Sequence, residues 1–363
     1  MQPALSSQRL DYLDWMRGVA AVVMLIGHTF HSFTRNDLRN TGPYALSQFV
    51  GGMPPAIFLF LTGVTLAFLL DRRERQGAPA MQRITAGLRR AGYLLAVAFL
   101  FRLQLFLFGR PQTVWEDITR VDILNCMGLA AMLMSLLGAF QTAERVRFAA
   151  VLGIAISAAS PLMSQADWSG VPLLMKSYLA PSYTGFTFFP WASFLAFGVS
   201  AGSLIRLLQP GHKERAMQWA ALLGTGLIIG GRYASDLPYS LYSKADFWLD
   251  SPALVAVKLG LICWLGAGAF VWVGGEDTPG WSWIRMLGTH SLLVYWVHIE
   301  LVYGRWLGAW KEQMTIAGTA SLAVGVVLLM LAVTSVKVRW GVPGTAPSWL
   351  RLYPIAPGRV SGD

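Results

Sequence analysis

LDWMRGVAAVVMLIGHTFHSF, residues Leu13 to Phe33, is the stretch whose reading decides the fold. The run is long enough for one helical crossing of a bilayer, which takes about 20 residues. It nevertheless carries Asp14, Arg17, His28 and His31. On a helix turning about 100° per residue, Arg17 and His28 fall on one face, within about 20° of each other. At a rise of about 1.5 Å per residue they sit about 16 Å apart along the axis, too far to touch. One helix face therefore bears a cation near one membrane surface and an imidazole roughly half a bilayer further on.

The surrounding chain is of the same kind. Of 363 residues, 55% are hydrophobic and only 13% charged, about half the charged share of a soluble domain. Mean hydropathy is +0.49. Fifteen tryptophans suit interfacial belts. Apolar runs of about 20 residues predict ten spans, near 13–33, 47–70, 87–108, 121–141, 146–163, 187–208, 216–232, 252–273, 284–304 and 314–336. The expected fold is all-α: a polytopic integral membrane domain over 1–340, about ten helices in one bundle, then a Pro/Gly-rich irregular cytoplasmic tail over 341–363. The first span is too long, and too polar at its outer end, for a cleaved leader. No internal repeat is visible, which disfavours an inverted-repeat transporter.

Lys and Arg counts set the orientation. With the N-terminus inside, inner segments hold 18 of the 29 cations and outer segments 9, while Arg102 and Lys258 lie within spans. This predicts both termini in the cytoplasm of a bacterial-type inner membrane. The net charge of +10 follows from the same bias, and no aromatic-interleaved basic patch points to nucleic acid. Cys126 and Cys263 sit in apolar runs and read as small core residues. The five histidines form no metal motif, and neither a Gly-rich phosphate loop nor a GxSxG elbow is present.

Charges at membrane depth are costly and need a partner or a purpose. In the predicted orientation His28, Arg102, Asp122, His298 and Glu300, from four spans, fall at a similar depth in the outer half. That convergence predicts one polar, outward-biased cavity. His28, the deepest of span one, is the candidate base; Asp122, His298 and Glu300 are candidates to orient it or share its proton. Each has a plainer reading. Arg102 neutralises Asp122 or Glu300, Asp122 is a boundary residue, Glu300 reaches outer water, and His298 packs in the core beside Tyr295, three residues earlier. His31, Arg102, Asn125 and Tyr295 are candidate substrate contacts, although His31 lies near the boundary and His212 sits in a charged inner loop. The outer stretch Arg232 to Asp250 holds Tyr233, Tyr239, Tyr242, Phe247 and Trp248, suited to stacking on sugar rings or to interfacial anchoring.

On the inner side Arg72, Arg73 and Arg75 close span two, and Arg89 and Arg90 open span three. Arg72 and Arg75, three apart, share a helix face. Positive-inside bias alone explains them; so does a phosphate clamp, because Arg forks match phosphate oxygens. Arg17 points to the same side, with Asp14 placed to pair with it.

These motifs resemble the transmembrane acyltransferase superfamily. Asp14-x-x-Arg17-Gly18 resembles its DxxRG, and Arg17 followed after ten residues by His28 resembles the acyltransferase-3 pattern, as does the Arg72-x-x-Arg75 after span two. FLFLTGVTLAF, Phe58 to Phe68, is similar to the FxFxxGxS/T of the heparan-α-glucosaminide N-acetyltransferase catalytic branch. RVDILNCMGLA is similar to that branch's span-four opening, with Asn125-Cys126 standing where a Gln-Arg-like step is usual. LGTHSLLVYWVHIELVYGR resembles the late LGxxSLxxYxxH segment through Ser291, Tyr295 and His298. The resemblance covers spans one to four and nine. It implies an acetyl-CoA-dependent enzyme that moves an acyl group from cytosolic acyl-CoA to a glycan or other small acceptor across the membrane. Arg17, Arg72 and Arg75 would hold the donor, with no metal; a homodimer is compatible with this. The competing reading is a transporter or flippase for a sugar- or lipid-linked substrate, whose charges would line a path rather than meet at one depth.

Overall fold

The computed structural model describes residues 10–340 apart from 110–112, 210, 240 and 275–280, so the expected tail over 341–363 lies outside the described residues. Thirteen α-helices follow in order among them: α1 (Asp11–Phe33), α2 (Gly42–Gly51), α3 (Pro54–Arg75), α4 (Ala80–Gly109), α5 (Ile123–Met134), α6 (Thr142–Gln165), α7 (Leu173–Leu179), α8 (Phe188–Leu207), α9 (Lys213–Ser235), α10 (Pro252–Val273), α11 (Trp283–Thr289), α12 (Ser291–Tyr303) and α13 (Ile316–Trp340). The described residues hold no strand, only an isolated bridge between Thr34 and Met314.

Six helical stretches among the described residues are long and apolar enough to cross a membrane, with α2 and α3 forming one of them. The other four expected spans fall on α1, α5, α9 and α12. Arg17, His28 and His31 lower the hydropathy of α1, α9 opens with Lys213, Glu214 and Arg215, and α5 and α12 are shorter apolar helices. Two runs that read as single spans are broken. Run 47–70 divides at Gly52 and Met53, and Pro54 and Pro55, which lack an N–H, start α3 where no such donor is needed. Run 284–304 divides at His290 (φ −113°, ψ 22°). There Thr289 Oγ1 and His290 Nδ1 both donate to the Met286 carbonyl, at 3.0 Å each, in place of a continuing helix bond.

α1 is the hub: it packs against α2, α3, α10, α11, α12 and α13. Its Leu13, Met16 and Ala20 enter one buried apolar cluster with Leu59 and Leu66 of α3 and Leu195 of α8. Its Ala21, Leu25 and Phe33 enter a second with Val294 and Val302 of α12 and Val326 of α13. Lipid tails are as apolar as leucine, so helices in a bilayer associate through close packing. Glycines supply it on both sides of α1. A Cβ at Gly288 of α11 would overlap the Asp14 carbonyl, and one at Gly18 would overlap Ile284 of α11. A Cβ at Gly27 would lie 2.9 Å from Gly51 Cα at the end of α2. Elsewhere α3 lies along α8, α8 along α6, α4 along α5 and α9 along α10.

A buried ion network ties three helix ends together. Asp71 of α3 accepts from Arg75 Nε at 2.9 Å, Arg206 Nε of α8 at 2.6 Å and Thr142 Oγ1 of α6 at 3.1 Å. Glu74 accepts from the fully buried Arg145 at 2.7 Å. The network locks the last turns of α3 and α8 to the first turn of α6, and so fixes Arg75 and Arg206.

Candidate functional site

A cavity of about 2860 Å³ passes between the helices. One end is lined by Arg17, Arg72, Arg75, Arg90, Arg206 and Lys213, and the other by His28, Arg102, Asp122, Tyr295, Glu300 and Tyr303. Thr62, Thr65, Phe58, Phe68 and Leu94 line the stretch between. Arg17 and His28 are thus on one wall, as their spacing on α1 requires.

At the histidine end, His28 Nδ1 lies 2.9 Å from His298 Nε2, with the two rings stacked at a centroid separation of 5.2 Å. His298 is fully buried behind His28, and its Nδ1 lies 2.8 Å from the Val294 carbonyl. A carbonyl only accepts, so His298 carries its proton on Nδ1. Its Nε2 is then a lone pair, and it accepts the Nδ1 proton of His28. The tautomer of His28 follows: Nε2 is unprotonated and is the ring nitrogen left for the cavity. Tyr303 packs edge-on against His28 at 5.3 Å, and the Tyr295 ring lies 5.8 Å from that of His298.

Arg102 and Asp122 form the neighbouring wall. Arg102 Nε is 3.2 Å from Asp122 Oδ2, but the N–H points elsewhere, so this is a charge contact and Oδ2 has no hydrogen-bond partner among the described residues. The other carboxylate oxygen caps α5, accepting from Leu124 N and Asn125 N at 3.0 and 3.1 Å. Asn125 Oδ1 in turn accepts from Asp122 N at 3.3 Å, and its Nδ2 donates to Tyr178 Oη of α7 at 3.2 Å. Burial pushes the Tyr178 phenol up, so it stays a neutral acceptor. Tyr295 lies within electrostatic reach of both Arg102 and Asp122.

Glu300 lines the same cavity but is held by Gln104 of α4, whose Nε2 donates at 2.8 Å. His31 is exposed outside the cavity lining, with its carbonyl bonded to Arg39 at 3.1 Å. Of the five ionisable groups expected at one depth, four line the cavity and the fifth, His298, supports His28 from behind.

At the opposite end Arg17 pairs with Asp14 at 2.8 Å, and Arg75 is held by Asp71 and by the Arg206 carbonyl. Arg72 has no protein partner among the described residues and lines the mouth. Arg90 donates to Thr65 Oγ1 at 2.8 Å. Sequence reasoning misses Arg206, Lys213, Gln104 and Tyr303. Arg206 and Lys213 reach the mouth through a helix end far along the chain, where positive-inside bias hides them. Tyr303 carries only one faint signal, its place eight residues after Tyr295 on α12.

Residues 9–234 match the family model described as heparan-alpha-glucosaminide N-acetyltransferase, catalytic. No curated protein matches the chain.

Proposed function

The chain belongs to the heparan-alpha-glucosaminide N-acetyltransferase catalytic family, and from that premise we propose that it transfers an acetyl group from acyl-CoA, bound at the arginine end, to an acceptor bound beside His28. The observation that carries the reading is the continuous cavity: one end is cationic, and the other presents an imidazole with its lone pair open. Acyl-CoA is polyanionic at its nucleotide and ends in a long thin thioester arm. Arg17, Arg72, Arg75 and the two cations unseen in sequence, Arg206 and Lys213, match the phosphates; Arg forks suit phosphate oxygens. The apolar stretch past Phe58 and Phe68 accommodates the arm. The positive-inside bias supports placing the arginine end in the cytoplasm and the histidine end outside.

The acceptor amine or hydroxyl attacks the thioester carbonyl while His28 Nε2 takes its proton. Collapse of the tetrahedral intermediate breaks the C–S bond, and His28 returns that proton to the departing CoA sulfur. His298 keeps His28 in the tautomer this needs. Arg102, Asp122 and Tyr295 form the wall against which an amino sugar or other small polar acceptor is held; Asn125, expected as a substrate contact, is buried outside the cavity lining and braces Asp122 instead. Glycan modification at the outer face of an inner membrane is the setting that fits.

The test uses purified protein with labelled acetyl-CoA and a glucosaminide acceptor. His28→Ala is expected to keep CoA binding and lose acetyl transfer by at least a hundredfold, the scale of general base catalysis. Arg72→Ala with Arg206→Ala is expected to weaken CoA binding at least tenfold. Undiminished transfer in His28→Ala removes the base assignment. Intersecting initial-rate patterns fit direct transfer, whereas parallel lines mean an acetyl-histidine intermediate.

A further inference from the structure

Arg102 is a guanidinium whose hydrogens go unused. Its side chain lines the cavity, is only 14% exposed, and meets Asp122 by charge alone. No hydrogen bond holds any of its N–H groups among the described residues. Buried polar groups are normally paired, so a donor fork left whole needs an explanation. Tyr295 is a second case. It lines the same cavity, within electrostatic reach of Arg102, and its hydroxyl has no hydrogen-bond partner among the described residues.

Neither donor is loose. Asp122, which neutralises Arg102, is itself fixed by the two α5 N–H groups that it caps. The Tyr295 ring packs against Phe101 of α4 at 5.3 Å and against His298 at 5.8 Å. It stands one turn before His298, the residue that holds His28. Two donors with nothing to bond and the base are thus set by packed neighbours. With Asp122 beside Arg102, this wall has no net charge with which to hold a permanent anion. It does offer N–H and O–H groups in a poorly solvated place, where their dipoles are weakly screened. That suits a group that turns negative only during reaction. Acyl transfer from a thioester makes one: as the nucleophile bonds to the carbonyl carbon, the C=O π pair moves onto oxygen. Direct attack by the acceptor and prior acylation of His28 both pass through that oxyanion.

Resting on the acyltransferase reading above, we propose that Arg102 and Tyr295 form the oxyanion hole, donating N–H and O–H hydrogen bonds to the thioester oxygen. Neither gives up its proton. The electron pair returns from oxygen as the C–S bond breaks, and in direct attack the sulfur takes the proton held by His28. A wall that only holds the acceptor binds ground and transition states alike, whereas donors to the oxyanion lower the barrier itself.

Tyr295→Phe removes the hydroxyl and keeps the ring; Arg102→Lys keeps a charge beside Asp122 and removes the fork. With the full chain in nanodiscs, each is expected to lower kcat about 10²–10³-fold, the scale of one lost oxyanion donor. The KM for methyl β-glucosaminide should stay within threefold, and CoA affinity should be unchanged, which also shows that the variants are folded. Infrared spectra of bound acetyl-CoA carrying carbon-13 at its carbonyl, taken without acceptor, give a readout independent of turnover. A hydrogen-bonded carbonyl absorbs at lower wavenumber, so the wild-type band should lie below that of either variant. A raised KM at wild-type kcat, or one band position in all three proteins, overturns the proposal. A lowered wild-type band without transfer to any acceptor defeats the acyltransferase reading and keeps the donor pair. Transfer at wild-type kcat in both variants does the reverse, and acetyl-CoA that fails to bind the wild type defeats both.

Discussion

Replacing His298 with Phe tests the tautomer argument. The Val294 carbonyl, His298 and His28 form a chain in which each proton position fixes the next, at 2.8 and 2.9 Å. Phe keeps ring volume behind His28 but accepts no hydrogen bond. The Nδ1–H of His28 then loses its acceptor in a buried place, which costs about 1–3 kcal/mol. The ring escapes that cost by moving its proton to Nε2, the nitrogen proposed as base, or by turning away. Either way the competent state is reached only at that cost, so kcat falls about 5- to 150-fold, at roughly 1.36 kcal/mol per factor of ten. The assay is steady-state acetyl transfer at saturating acetyl-CoA, with CoA affinity measured separately and expected to be unchanged. His298→Gln, which can accept through its amide oxygen, should recover part of the loss. A His298→Phe protein that is folded, binds CoA and turns over at the wild-type rate would refute the reasoning.

Two further substitutions test how the site is positioned. Gly288→Ala forces a Cβ into the Asp14 carbonyl and should destabilise the protein by about 1–3 kcal/mol or more, whereas Gly92→Ala in α4, with open space around it, should be neutral or stabilising; thermal unfolding in one detergent separates them. Asp122→Ala removes the α5 cap, worth about 0.5–2 kcal/mol, and leaves Arg102 unpaired, so its unfolding midpoint should fall; Asp122→Asn, which still caps, should unfold close to wild type, and an equal fall in both would show that the cap is not what Asp122 contributes.

The first helix is legible because its determinants are local. Hydropathy sets its length, and a fixed angle per residue puts Arg17 and His28 on one wall. The breaks before Pro54 and at His290 are not legible in the same way. Both lie inside apolar runs, and the second depends on side chains of Thr289 and His290 capturing one carbonyl. The pairing of His28 with His298 joins residues 270 apart. Taken singly, His298 fits a satisfied core histidine, and it is fully buried; only the packing of α12 on α1 supplies its partner. Asp122 shows two readings to be compatible, since it is at once a helix boundary, the neighbour of Arg102 and part of the cavity wall. Gln104 carries no signal in its own sequence context, because its partners Glu300 and Trp296 lie on another helix.

The central claim is that the acetyl group crosses from the arginine end to the histidine end of one cavity. Oriented proteoliposomes test it most directly, with labelled acetyl-CoA confined to the side facing the arginine end and a membrane-impermeant glucosaminide on the other. The account predicts labelled acceptor on the far side, lost in His28→Ala although CoA binding persists. Label found only on acceptor placed on the same side as acetyl-CoA would contradict it.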